Sequence, residues 1–88
     1  GVFETIRVRN GIPLFYALHM DRLAQGLAAI SINYDPAVLK TIIAELLRLN
    51  QADHCMIRIT ISRGSGSKGY LPTTKGPTVV IMLRDVPA

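Results

Sequence analysis

Val2-Phe3-Glu4-Thr5-Ile6-Arg7-Val8-Arg9-Asn10-Gly11-Ile12-Pro13-Leu14-Phe15-Tyr16 carries the pattern that decides the fold. From Val2 to Arg9 the side chains alternate. Val2, Glu4, Ile6 and Val8 share one face and Phe3, Thr5, Arg7 and Arg9 the other, which predicts a half-buried strand. Asn10-Gly11 is a strong hairpin signal, because both residues tolerate positive φ. Ile12 to Tyr16 is predicted as the returning strand, confined by Pro13 to an edge or irregular position. The chain therefore opens with a hairpin whose Ile6 and Val8 need covering.

The cover follows in sequence. From Leu18 the period lengthens, and Met20, Leu23, Leu27 and Ile30 form one apolar stripe that predicts a helix ending near Ser31. Asp35-Pro36 combines an N-cap acceptor with proline at the first helical position. It predicts a second helix with the stripe Leu39, Ile42, Ile43, Leu46 and Leu49, ending at Asn50. Cys55 to Ser62 alternates again, with Cys55, Ile57, Ile59 and Ile61 inward. Thr78 to Leu83 is an unbroken apolar run and is expected to be a strand buried on both faces. The order strand-strand-helix-helix-strand-strand predicts an α+β fold, an antiparallel sheet with two helices on one face.

With 88 residues the chain is one domain, and a domain of this size buries only about 60–65% of its unfolded surface. Apolar residues at 49% and charged ones at 18% exclude a disordered chain. No apolar run approaches the roughly 18 residues of a membrane span, so no membrane partner is expected. The single Cys55 cannot form an internal disulfide, and together with the lack of a signal-peptide pattern at Gly1 it suggests a cytoplasmic location. The net charge of +4 is spread from Arg7 to Arg84 without a polybasic block, which argues against a phosphate-tracking surface for nucleic acid. A chain that begins within a strand at Gly1 and ends directly after another looks cut at both ends, which suggests a single domain, 1–88, taken from a longer protein.

Three places carry possible chemistry. Ser62-Arg63-Gly64-Ser65-Gly66-Ser67-Lys68-Gly69-Tyr70 joins three glycines to two cations and a phenol. It is either a flexible hairpin loop or an anion-binding loop in which amides, Arg63, Lys68 and Tyr70 converge on a carboxylate or phosphate. His19 and Arg22 lie three apart near a helix start, where an arginine and free amides can grip a phosphate, or where Arg22 can simply pair with a carboxylate. Glu4 shares its face with Ile6 and Val8, so it must be partnered or lie at the exposed end of its strand. No nucleophile–base signature, Walker loop or dinucleotide fingerprint occurs. The polar strand face of Thr5, Arg7, Arg9, Arg58 and Thr60 is either a solvated surface or the wall of a crevice against a second domain.

Three segments in register, Gly1-Val2-Phe3-Glu4-Thr5-Ile6-Arg7-Val8, His19-Met20-Asp21-Arg22-Leu23 and Ser62 to Tyr70, resemble the N-terminal domain of the class IV aminotransferases, the fold-type IV pyridoxal-phosphate enzymes. Within that family the third segment, followed by Lys75-Gly76-Pro77, is most similar to the aminodeoxychorismate lyases. The resemblance implies pyridoxal 5′-phosphate as cofactor, Arg22 on its phosphate, and Phe3 at an aromatic position near it that is often tyrosine in relatives. It further implies that Lys68 and Tyr70 reach the carboxylate of a small anionic amine substrate, commonly across a homodimer interface. Lysine at 68 replaces the more usual arginine, keeping the charge but losing the planar fork. No catalytic residue is expected within 1–88, because Lys40, Lys68 and Lys75 do not stand in the context of the Schiff-base lysine. The activity implied is conversion of 4-amino-4-deoxychorismate to 4-aminobenzoate and pyruvate, a step towards folate. Branched-chain or D-amino-acid transamination is the alternative, and a basic nucleic-acid- or protein-binding module using Arg7, Arg9 and Arg58 is the reading of another class.

Overall fold

A computed structural model describes residues 1–63 and 76–87. Strand β1 (Val2–Arg9) follows the predicted alternation, with Ile6 and Val8 fully buried and Arg7 and Arg9 exposed. Asn10 and Gly11 both take positive φ (52° and 74°), the geometry of a tight two-residue hairpin turn. The turn is tied down by the Gly11 amide, which donates to the Asp53 carbonyl at 2.9 Å. The return strand β2 (Ile12–Pro13) is shorter than predicted. Pairing ends with the Leu14 amide on the Arg7 carbonyl (2.8 Å), and Phe15 then turns left-handed at φ 55°. Helix α1 (Tyr16–Ala29) consequently starts two residues earlier than its apolar stripe suggested.

Leu23 and Leu27 of α1 are buried in the core, with Met20 and Ile30 packed at its edge. Asp35 caps the next segment as expected, accepting from the Ala37 amide at 3.0 Å. A single 3₁₀ turn (Pro36–Val38) intervenes before helix α2 (Leu39–Leu49). Here the predicted stripe needs correction. Leu39, Ile43 and Leu47 face the core, while Ile42 and Leu49 are exposed. Apolar residues at 42, 43, 46, 47 and 49 offer more than one face at helical spacing, so periodicity alone does not choose among them.

Strands β3 (Cys55–Ser62) and β4 (Thr78–Arg84) complete a four-stranded antiparallel sheet in the order β2-β1-β3-β4. Cys55, Ile57, Ile59 and Ile61 supply the centre of the core beneath the two helices, giving the α+β fold. β4 is an edge strand and is not buried on both faces: Val79, Ile81 and Leu83 turn inward, whereas Val80 and Met82 are exposed. Among the described residues the sheet thus has one face under the helices and one open face.

The side of α2 that faces the core is directly testable. Leu47→Ala should lower the unfolding free energy by about 2–4 kcal/mol in urea denaturation, as for a buried leucine. Leu49→Ala should change it by less than about 0.5 kcal/mol, as for a surface site. The reverse order would show that the helix is rotated.

Candidate functional site

Glu4 stands in the middle of β1, opposite Ile59, on the side that faces the helices. Its side chain is only 12% exposed, and a carboxylate there is costly unless it is paired. The first two turns of α1 supply the partners. His19 Nδ1 lies 2.6 Å from Glu4 Oε1, and Arg22 Nη2 donates to the same oxygen at 2.8 Å. Nη2 and Nδ1 are 3.2 Å apart, two nitrogens converging on one carboxylate oxygen. At 2.6 Å from a carboxylate oxygen, Nδ1 must carry a proton directed at Glu4, since two lone pairs at that distance would repel.

Burial pushes the Glu4 carboxyl upward, but the hydrogen bonds from His19 and Arg22 and the charges of both outweigh it, and its pKa is lowered from the ordinary value of 4.5. Arg22 is half in solvent, with its side chain 55% exposed. Among the described residues its polar contacts all run through Nη2. A guanidinium has five N–H donors, so donors remain with which to grip an oxyanion. Arg22 therefore both pairs with a carboxylate and keeps the capacity for a phosphate, which were the two readings its spacing left open.

Phe3, the neighbour of Glu4, points to the open face and is 58% exposed. The Arg58 guanidinium lies over its ring, 4.3 Å from the centroid, within cation–π range. Val80 and Met82 are exposed on the same face, across β3 from Phe3 and Thr5. The open face thus mixes Phe3, Val80 and Met82 with Arg7, Arg58 and Arg84.

The family model for class IV aminotransferases matches residues 1–88, the full sequence. The chain belongs to that family. It is 31% identical to aminodeoxychorismate lyase of Bacillus subtilis, over 98% of this chain and 31% of that protein. It is 30% identical to a provisionally assigned branched-chain-amino-acid aminotransferase of Methanocaldococcus jannaschii, over 99% of this chain and 31% of that protein. Among solved structures, 4-amino-4-deoxychorismate lyase from Pseudomonas aeruginosa superposes with a TM-score of 0.80 at 27% identity, covering 99% of this chain and 32% of the other. The chain thus spans about a third of the length of the relatives it matches.

Within this class IV chain the candidate residues divide. Arg22 and Phe3 sit at the same end of β1 but are not brought together: Arg22 is held on Glu4 on the helix side, and Phe3 lies on the open side. The expectation of helix-start amides beside Arg22 is not met. With α1 starting at Tyr16, Arg22 lies in the second turn, and the His19 amide already donates to the Phe15 carbonyl at 3.0 Å. Arg63 Nη2 donates to the carbonyl of Ile30, the C-cap of α1, and the glycine loop that follows it lies outside the described residues. Lys68 and Tyr70 lie outside the described residues. Sequence reasoning named Glu4 without its partners, and it missed Val80 and Met82 on the open face because their run looked doubly buried. The partners were within reach, since a carboxylate among Val2, Ile6 and Val8 demands cations and the next helix offers His19 and Arg22.

A groove of about 640 Å³ lies elsewhere, between Gly11-Ile12-Pro13 and α2, and includes none of Glu4, His19, Arg22 or Phe3. Its position away from these polar groups gives it no share in the site. Among the described residues no helix is long and apolar enough to cross a membrane, and no cluster could hold a metal ion.

The lowered pKa of Glu4 sets a pH dependence. Its ionised, paired form stabilises the fold above the ordinary value of 4.5, and that contribution is lost as pH falls through the lower folded value. Urea midpoints measured from pH 6 downward should show a loss beginning near 4.5, and Glu4→Gln should flatten that part of the profile. An identical profile for the variant would show that Glu4 titrates as an unpaired carboxylate.

Proposed function

We propose that the protein acts as a pyridoxal-5′-phosphate-dependent lyase, converting 4-amino-4-deoxychorismate to 4-aminobenzoate and pyruvate, a step towards folate. The observation that carries this reading is the half-exposed Arg22 guanidinium, fixed through one nitrogen and with donors to spare. That donor set fits a phosphate, which takes parallel hydrogen bonds from a planar fork. The likeness of nearly the whole chain to aminodeoxychorismate lyase of B. subtilis and to the P. aeruginosa lyase structure supports this reading.

When bound, the cofactor supplies an electron sink that lets bonds at the amine-bearing carbon be broken. The residues of this chain position rather than react. Arg22 binds the phosphate and Phe3 offers an apolar surface to the cofactor. Lys68 and Tyr70 orient the substrate carboxylate, and alignment of this kind removes much of the entropic barrier. A lysine at 68 holds that carboxylate by charge without a bidentate grip. The cations Arg7 and Arg58 on the open face add a positive field suited to a small anionic amine. We place the active protein in the cytoplasm as a homodimer, with the loop of one protomer serving the site of its partner.

The full-length protein given 4-amino-4-deoxychorismate should release 4-aminobenzoate and pyruvate in equal amounts. Transamination of branched-chain or D-amino acids without such release would favour the second reading, to which the M. jannaschii relative points. Lys68→Ala should raise KM for the lyase substrate about tenfold or more, the loss of one charge-assisted hydrogen bond. The affinity for pyridoxal 5′-phosphate should stay the same. A drop in cofactor affinity with unchanged KM would remove Lys68 from the substrate site.

A further inference from the structure

We infer that Glu4 is a positioning residue that aims Arg22 at the cofactor phosphate, with His19 as its counterweight; this rests on the reading of Arg22 as the phosphate-holding group. Arg22 by itself is poorly placed for that task. Its side chain is long and 55% exposed, and a free arginine on a helix surface samples many rotamers that a bound anion must then freeze out. Glu4 supplies a fixed point. Its backbone belongs to β1 and is paired to Ile59 of β3 within a run of seven consecutive pairs, and its side chain is 12% exposed. Because the guanidinium is planar and rigid, pinning Nη2 at 2.8 Å restricts the plane in which Nη1 and Nε present their donors.

A carboxylate beside an anion site also repels the anion. His19 answers that objection. Its Nδ1–H is directed at the same Oε1 at 2.6 Å, so the oxygen that pins Arg22 is the one whose charge is drawn off. An apolar side chain at position 4 would pack beside Val2 and Ile6 without any need of a partner, and buried ion pairs gain little stability over such a replacement. Orientation of Arg22 is what a carboxylate at this position adds.

The test uses the full-length apo-protein, titrated separately with pyridoxal 5′-phosphate and with pyridoxal, which lacks the phosphate. The ratio of the two dissociation constants reads the phosphate contact alone, and a purely structural role for Glu4 would leave it unmoved. Arg22→Ala should collapse the ratio. Glu4→Gln, which keeps shape and one acceptor oxygen, should lower the ratio about tenfold, and should add nothing in the Arg22→Ala background. A folded Glu4→Gln protein whose ratio is unchanged or raised, beside an Arg22→Ala protein whose ratio falls, overturns the positioning role and leaves the phosphate reading standing. An unchanged ratio for Arg22→Ala overturns the phosphate reading and the positioning role with it. Should Glu4→Gln fail to fold by circular dichroism, Glu4→Asp takes its place. Its shorter arm moves the pinned nitrogen, so the ratio should again fall, and an unchanged ratio counts against the proposal.

Discussion

Seven consecutive residue pairs join β1 to β3, from Val2 opposite Ile61 to Val8 opposite Cys55, and this register is the constraint on which the rest of the molecule depends. It stacks Ile6 and Val8 beside Ile57, Ile59 and Ile61 on one face, all fully buried. A slip of one residue would carry Phe3 and Arg7 into that core and put Ile6 and Val8 in water. An unpaired Arg7 among isoleucines is a penalty large enough to exclude the slipped form. The helices can then approach only one face. How closely is shown at Gly26, where a Cβ would lie 2.9 Å from a Val2 methyl. Positions 19, 22 and 26 share one side of α1. The close contact at Gly26 and Val2 is therefore continuous with the contact of His19 and Arg22 at Glu4.

That continuity links the packing to the electrostatics. Glu4 is a carboxylate in a strand position that its neighbours fill with aliphatic side chains, and it is tolerated because α1 lies near enough to deliver two donors to a single oxygen. Each half depends on the other. Moving α1 outward would leave a carboxylate stranded, with the penalty that attends a buried charge whose partner is removed. Without Glu4, Arg22 would be one more solvated arginine on a helix.

Much of this was legible in the sequence, because period-two alternation and the Asn10-Gly11 turn are local signals that tertiary contacts reinforce. β1 and β3 have the predicted faces, and Asp35-Pro36 opens the second helical segment as its capping chemistry dictates. What was not legible depends on neighbours. Nothing in Leu14-Phe15-Tyr16 announces that a bulky phenylalanine will sit at φ 55° and launch α1 early. Leu46, Leu47 and Leu49 are equally apolar, so only contact with the core selects Leu47. Val79 to Leu83 has the composition of a doubly buried strand, yet the helices cover only one face of the sheet, and Val80 and Met82 point to the other. The site followed the same rule: Arg22 was visible as a phosphate candidate, whereas its grip on Glu4 requires two elements 18 residues apart to meet.

The alternation that built the sheet also divides the chemistry. Consecutive residues on β1 send Glu4 to the helix layer, where it orients a cation, and Phe3 to the open layer, where its ring meets Arg58. The two layers are separated by the sheet itself, but β2 pairs β1 only at Val8 and Arg9, so among the described residues no strand lies beside the Val2–Ile6 stretch on that edge. A ligand that engaged both Arg22 and Phe3 would therefore pass over this edge of β1 or round its end at Val2, and not through the paired strands. That fits an extended molecule with an anionic tail and a flat apolar body, the tail at the helix-side arginine and the body towards the open face. A compact anion such as free phosphate could occupy only the first of these places. In this class IV chain, then, two consecutive residues of β1 set where the Arg22 charge is held and where the Phe3 ring lies.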